Sequence, residues 1–202
     1  MKRGFFALIA AAALVCTGCA GSGAGSPSLD EVFVSRRSIR AYEAGRTISE
    51  AEVRELLTAT QNAPSWANQQ PSKYYVAIGE EKRNAVLELI GGNKSRVINA
   101  PVMIVSTFET GKSGFFRGQQ VDAEGNLWGA YDNGLSNAYL ILKARAMGFD
   151  TLIMGMRMAD ELRQLFDIPE NEVILAVIAL GYRDQEPKMP VHRPLDEIAR
   201  FF

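Results

Sequence analysis

The chain has 202 residues, 47% of them hydrophobic, with 22 Lys and Arg against 23 Asp and Glu and a formal net charge of -1. A chain of this size and apolar content can bury one core without cross-links, which excludes a disordered protein and a disulfide scaffold. Two cysteines and one histidine cannot build a Cys/His zinc site, and the near-neutral balance gives no reason to expect a nucleic-acid footprint.

Met1-Lys2-Arg3 is a short basic start, and the apolar run that follows, FFALIAAAALV, is too short to span a membrane but right for the core of a signal peptide. It ends at Cys16-Thr17-Gly18-Cys19, which resembles a bacterial lipoprotein signal, with a small residue before a lipidated cysteine. Cys16 departs from that pattern, which usually has Leu there. The resemblance implies a signal peptide over 1–18, lipidation of Cys19, and a protein exported to the bacterial cell envelope and held to a membrane by its lipid. Residues 19–28 are Gly/Ser-rich and read as a flexible linker, leaving one domain over 29–202. Cleavage would separate Cys16 from Cys19, so no CxxC redox pair survives. GSGAGS at 21–26 has neither a strand before it nor a helix after it, and is no dinucleotide fingerprint.

In chain order, Ser28 with Glu31 predicts a capping box and a short amphipathic helix, and Ser49 with Glu52 repeats the device with Ile48 and Val53 as a hydrophobic staple. Val53, Leu56, Leu57 and Thr60 then follow helical spacing up to Pro64. KYYVAI at 73–78 is a strand, and the helix carrying Val86, Leu87, Leu89 and Ile90 stops at Gly91-Gly92. Pro101 to Phe108 reads as a strand buried on both faces, and 109–127 as a mobile Gly-rich loop. A long helix from about Gly129 to Met147 is expected to bury Leu135, Ala138, Tyr139, Leu142 and Ala146 and to end at Gly148. Asp150 to Met156, the helical Ala159 to Phe166, and a central strand from Glu172 to Leu180 complete the pattern. Strands separated by helices, without repeats or a second linker, argue one α+β or α/β domain.

Several signals carry no chemistry. Gly111-Lys112-Ser113 lacks the upstream glycine of a P-loop, and Asn93-Lys94-Ser95 is a chance sequon. His192 lies in an irregular tail, where solvation outweighs a role as base or ligand. Two features stand out. Arg36, Arg37 and Arg40 crowd one turn with Ser38, and guanidinium forks beside a hydroxyl suit a phosphate. Ala63 to Pro71 carries Ser65, Trp66, Asn68, Gln69 and Gln70 between prolines, and side-chain amides suit a heterocycle edge that both donates and accepts hydrogen bonds. By themselves these residues fit equally a solvated basic loop and a plain connection with Trp66 in the core.

RRSIRAY at 36–42, APSWANQQP at 63–71, GLSNAYLILKARAMGFDTLIMG at 134–155 and VILAVIALGY at 173–182 together resemble, in order, the FMN-dependent nitroreductase family. The resemblance implies an α+β domain with a central mixed sheet flanked by helices, in an intertwined homodimer with FMN at its interface. Arg36, Arg37, Ser38 and Arg40 match contacts to the FMN phosphate and ribityl chain. Ser65, Asn68 and Gln70 match a loop reaching the flavin across the dimer interface, with Trp66 near the ring. Asn93 matches a contact to the ring edge or ribityl chain, Met154 and Gly155 a turn whose N–H groups lie near flavin N5, and Arg193 an arginine that closes on the phosphate. Some members place a lysine two residues before that arginine; Val191 stands there, so phosphate neutralisation is expected to rest on the N-terminal cluster.

The implied activity is ping-pong reduction of nitroaromatics, quinones or similar electron-poor acceptors by NAD(P)H or another donor, the flavin carrying the chemistry without a catalytic side chain. An electron-relay flavoprotein, flavin fragmentation and reductive dehalogenation are the alternatives, because an exported enzyme would lie away from nicotinamide donors. The terminal Phe201-Phe202 is expected to pack on a partner or on its own subunit.

Overall fold

The computed structural model describes residues 26–202. The expected signal peptide, Cys19 and most of the linker lie outside the described residues. Helix α1 (Leu29–Ser35) and helix α2 (Glu50–Thr60) begin as the sequence predicts. Ser28 Oγ accepts from the Glu31 N–H at 3.3 Å while the Glu31 carboxylate accepts from the Ser28 N–H at 2.7 Å. Ser49 and Glu52 make the same pair of bonds at 3.2 and 2.7 Å. Each box satisfies first-turn N–H groups that the helix itself cannot pair. Ile48 and Val53, the staple, are both buried.

A four-stranded sheet forms the centre, in the order β1 (Ser72–Ala77), β2 (Val102–Glu109), β6 (Glu172–Gly181), β5 (Asp150–Met154), with every neighbouring pair antiparallel. The parallel element is a single bridge between Ser38 and Thr151 at the β5 edge. Helices cover both faces. On one side α3 (Glu80–Glu88), α4 (Lys94–Val97) and α6 (Ala159–Phe166) pack Val86, Val97 and Leu162, with Ile90 from the link between α3 and α4, against Met103, Val105, Val177 and Ala179. On the other, α2 and α5 (Leu127–Ala146) pack Leu56, Leu140 and Ala144 against Val102, Ile104, Ile178 and Leu180. Alternate residues of β2 and β6 thus serve opposite cores, which is why these strands read as unbroken apolar runs rather than as alternating ones.

Helix α5 departs from expectation. Its buried face is Gly129, Asp132, Asn133, Ser136, Asn137, Leu140 and Ala144, not the apolar stripe through Leu135 and Leu142. The cause is a β-bulge, where Leu175 of β6 is the extra residue between the Ser106 and Thr107 pairings. Beside it, Ser106 Oγ lies 3.0 Å from both Asn133 Oδ1 and Asn137 Oδ1, and Asn133 Nδ2 donates to the Thr107 carbonyl at 2.8 Å. A polar seam in the sheet requires a polar helix face, since a buried donor or acceptor left unpaired costs about 1–3 kcal/mol. The apolar stripe turns outward, leaving Tyr131 61% and Tyr139 40% exposed.

The segment expected as a loop over 109–127 contains the hairpin β3 (Phe115–Phe116) and β4 (Gln119–Gln120). Local bonds fix it: Asp122 accepts from the Gly125 N–H at 3.1 Å and from Trp128 Nε1 at 2.7 Å, and Asn126 Oδ1 accepts from the Gly111 N–H at 2.8 Å. After β6 the chain is irregular to Pro194, as expected, and then forms the short helix α7 (Leu195–Ile198).

Gly129 marks the closest approach of α5 to the sheet: a Cβ there would lie 2.4 Å from Phe108 Cδ2. Gly129→Ala is expected to lower the unfolding free energy by about 1–3 kcal/mol through overpacking; urea denaturation with a matched Gly134→Ala control, where a Cβ meets open space, checks it.

Candidate functional site

Two residues past α1 the backbone becomes extended and runs beside β5, with the Ile39 N–H donating to the Thr151 carbonyl at 3.1 Å. Period-two alternation then sorts the side chains: Ile39 enters the core, while Ser38 and Arg40 stay exposed. The result is a pocket of about 230 Å³ lined by Arg36, Arg37, Ser38 and Arg40 and by Pro187, Lys188 and Pro190. Arg37 Nη1 donates to the Arg36 carbonyl at 2.7 Å, but its Nε is buried without a partner. Among the described residues none of these four cations has a carboxylate within salt-bridge distance. Converging guanidinium and ammonium groups with no counter-charge, and a buried donor lacking an acceptor, form an anion site.

Both segments of the lining hang from one buried carboxylate. Asp150, 3% exposed, accepts from Arg183 Nε at 2.8 Å and Nη2 at 2.6 Å, a bidentate pair, and from Arg145 Nη1 at 3.4 Å. Arg183 also donates to the Ser35 carbonyl at 3.1 Å, and Arg145 Nε to Ser35 Oγ at 3.0 Å. Ser35 immediately precedes the arginine cluster, and Arg183 opens the segment that ends at Lys188 and Pro190. The sequence offered no direct sign of this network, because its members come from four separate elements. Lys188 was also missed; its two flanking prolines, which stiffen the backbone, are the only local signal.

The polar loop lies elsewhere. A 3-10 turn at Trp66–Asn68 joins α2 to β1, with Ala67, Asn68 and Gln70 all at left-handed φ of 45°, 56° and 49°. Such backbone persists in non-glycine residues only when the surroundings hold it. Here the buried carboxylate of Asp132 accepts from the Trp66 N–H at 3.0 Å, and Ser65 Oγ accepts from the Gln70 N–H at 3.0 Å. Gln70 Nε2 donates to Asn68 Oδ1 at 3.1 Å, so the amides reach solvent as one unit. Trp66 is half-buried rather than a core residue. The same Asp132 accepts from Ser113 Oγ, tying the β3–β4 excursion to this loop. Ser65 and Gln70 border a cleft of about 490 Å³ that also exposes Arg54, Lys73 and Tyr74. The Tyr74 hydroxyl is buried without a hydrogen-bond partner. Burial pushes its phenol up to about 12, and the nearby Ser136 and Thr60 hydroxyls offset part of the shift.

The segment before Asn93 meets the chain that follows the Met154-Gly155 turn. The Met158 N–H donates to the Leu89 carbonyl at 2.8 Å, and Met156 packs so tightly on Gly91 that a Cβ there would lie 2.8 Å from its sulfur. The Met154 side chain belongs to the core, so only its backbone can serve a ligand; Gly155 follows it as the strand ends, exposed. Arg157 donates to the Gly155 carbonyl at 2.6 Å and to the Ile174 carbonyl, fixing the turn. Arg193 is exposed and is not among the residues lining the anion pocket.

The arginine cluster and the Met154-Gly155 turn lie along β5, while the Ser65–Gln70 loop leads into β1, and these are opposite edges of one sheet. Three strand spacings separate them by roughly 14 Å. Within one chain the two groups of residues therefore stand apart.

These features define an α+β protein with an anion pocket at one sheet edge and an amide-rich loop at the other. The nitroreductase family pattern matches residues 33–182, and the chain belongs to that family of oxidoreductases. It is 27% identical over 161 residues, 77% of this chain and 86% of the relative, to an Archaeoglobus fulgidus protein whose name ascribes to it NADH dehydrogenase and NAD(P)H nitroreductase activity. Among solved structures, one from Exiguobacterium sibiricum, described as a nitroreductase in complex with FMN, superposes with a TM-score of 0.79 at 23% identity, covering 87% of this chain and 98% of that one. The NADPH:FMN oxidoreductase of Vibrio harveyi, in complex with NAD+, gives a TM-score of 0.72 at 24% identity over 86% of this chain and 76% of that one.

Tyr74 supplies a test of the cleft. Its phenol keeps the proton in the folded state above pH 10, where the unfolded chain loses it, so the native state binds more protons and stability falls as pH rises from 10 toward 12. The decline attributable to Tyr74 is on the order of 2 kcal/mol. Denaturant unfolding across that range is expected to show a shallower decline in Tyr74→Phe than in the unaltered chain.

Proposed function

We propose that the chain is an FMN-dependent oxidoreductase that reduces nitroaromatics, quinones or similar electron-poor acceptors, with NAD(P)H or another reductant as donor. The observation that carries this reading is the anion pocket, whose uncompensated cations and partnerless Arg37 Nε fit a phosphate monoester dianion. Bound FMN would supply the hydride and electron transfer that none of these side chains can perform.

Arg36, Arg37 and Arg40 hold the phosphate, and the Ser38 hydroxyl meets the ribityl chain. The backbone N–H groups at Met154 and Gly155, and the Asn93 side chain, would serve the ring of a bound flavin, where fixed donors favour negative charge. Ser65, Asn68 and Gln70 of a second copy supply donors and acceptors to the ring's polar edge, with Trp66 walling the pocket. Donor and acceptor would use one shared site in turn, the ping-pong order that the family resemblance implies.

A homodimer would bring the Ser65–Gln70 loop of one copy to the arginine cluster of the other, which lie at opposite sheet edges within one chain. The outward faces support it: Leu127, Tyr131 and Tyr139 of α5, and Leu29, Phe33 and Val34 of α1, which packs on α5, are all exposed in the single chain. Phe201 and Phe202 are 82% and 116% exposed, so they do not pack on their own subunit. Contiguous apolar surface of this kind marks an interface. We further propose lipidation at Cys19 and attachment to the bacterial envelope; among the described residues no helix is long and apolar enough to cross a membrane, so anchoring would rest on the lipid.

The purified protein is expected to show the visible spectrum of bound flavin near one per subunit, with FMN identified by mass after release. Arg36→Ala with Arg40→Ala is expected to abolish that retention; unchanged affinity would overturn the phosphate assignment. Light scattering is expected to give a dimer, and Tyr131→Glu with Tyr139→Glu to yield monomers that no longer hold the cofactor. Anaerobic reoxidation of the reduced protein by nitroaromatics would favour the enzyme, and reoxidation only by a protein partner the relay.

A further inference from the structure

The arginine cluster lines the anion pocket together with Pro187, Lys188 and Pro190 of the irregular segment after β6. That segment is not loosely draped. Arg183 anchors its start to Asp150 and to the Ser35 carbonyl, and the Asp184 N–H donates to the Ala41 carbonyl at 2.9 Å. The segment is thus bonded twice to the strip of chain that carries the arginines. Pro187 and Pro190 then bracket Lys188 and Met189, and each proline confines both its own φ and the residue before it to extended backbone. Lys188 lines the pocket with no carboxylate within salt-bridge distance among the described residues. Its neighbour Val191 is 99% exposed and apolar, and Arg193 is not part of the lining.

We infer that Lys188 is the fourth cation of the phosphate site, lining it together with Arg36, Arg37 and Arg40, and that the Asp150–Arg183 pair positions it. This rests on the FMN reading above. The ligand group it takes is a terminal phosphate monoester dianion, and it makes the site select FMN over riboflavin, which shares the ring and ribityl chain but has no phosphate. Its ammonium is a point charge on a flexible stem that adapts to the oxygens left free by the guanidinium forks.

The test is a comparison of FMN and riboflavin affinities, by quenching of flavin fluorescence on the full apoprotein, for the unaltered chain, Lys188→Met, Lys188→Arg and the Arg36→Ala, Arg40→Ala double variant. Inorganic phosphate serves as a third probe, followed by phosphorus NMR line broadening. Lys188→Met keeps most of the stem, so loss of the charge is isolated from loss of packing. FMN binding is expected to weaken about tenfold in Lys188→Met, as for one lost charge-assisted bond, with riboflavin binding unchanged and Lys188→Arg restoring FMN affinity. Equal weakening toward FMN and riboflavin would overturn the inference by showing a merely structural role. So would FMN affinity that falls in the arginine double variant but not in Lys188→Met. If the unaltered chain binds no FMN while phosphate broadening still depends on Lys188, the anion site stands and the FMN reading falls; if neither FMN nor phosphate binds, both fall.

Discussion

The buried carboxylate of Asp150 is the constraint on which the site geometry depends. A charge 3% exposed is tolerated only when it is paired and fully hydrogen-bonded, and removing one member of such a pair costs about 3–5 kcal/mol. Arg183 answers it in bidentate fashion and Arg145 adds a second guanidinium. Because those arginines also bind Ser35, the carboxylate draws together the end of α1, the end of α5, the start of β5 and the segment after β6. The arginine cluster begins one residue past Ser35, so its position is a consequence of this arrangement.

Asp132 plays the corresponding part at the other sheet edge. Its carboxylate holds the Trp66 backbone and the Ser113 hydroxyl at once, so the amide loop and the β3–β4 excursion share one support. Three left-handed residues in four would relax in an isolated peptide; here the helix beneath them decides. The polar face that α5 presents to the bulge and to this loop forces its apolar stripe outward. One choice of helix orientation therefore both satisfies the buried seam and creates the surface on which a second copy can settle.

The two groups of residues explain why a protein with few titratable site groups can be a redox enzyme. The chain supplies charge, dipoles and shape, and leaves electron chemistry to a bound group.

Much of the fold was legible in the sequence, for identifiable reasons. Both capping boxes were visible because their bonds span three residues, and β2 and β6 were visible because strands buried on both faces are continuously apolar. The cation cluster and the amide loop were visible because each is contiguous. The orientation of α5 was not, since its best apolar stripe points to a face that the single chain leaves open, and the bulge that overrides it involves β2 and β6, about seventy residues apart in sequence. Lys188 was not, since a lone lysine in an irregular tail acquires meaning only when Arg183 and Asp150 fold it back over the arginines. What the sequence determined alone was local: caps, strands, a family pattern and two groups of ligand-ready residues. Tertiary structure decided which faces are buried, which carboxylates are buried beside their partners, and that the two groups lie at opposite edges, because those outcomes depend on contacts between segments that no local periodicity encodes.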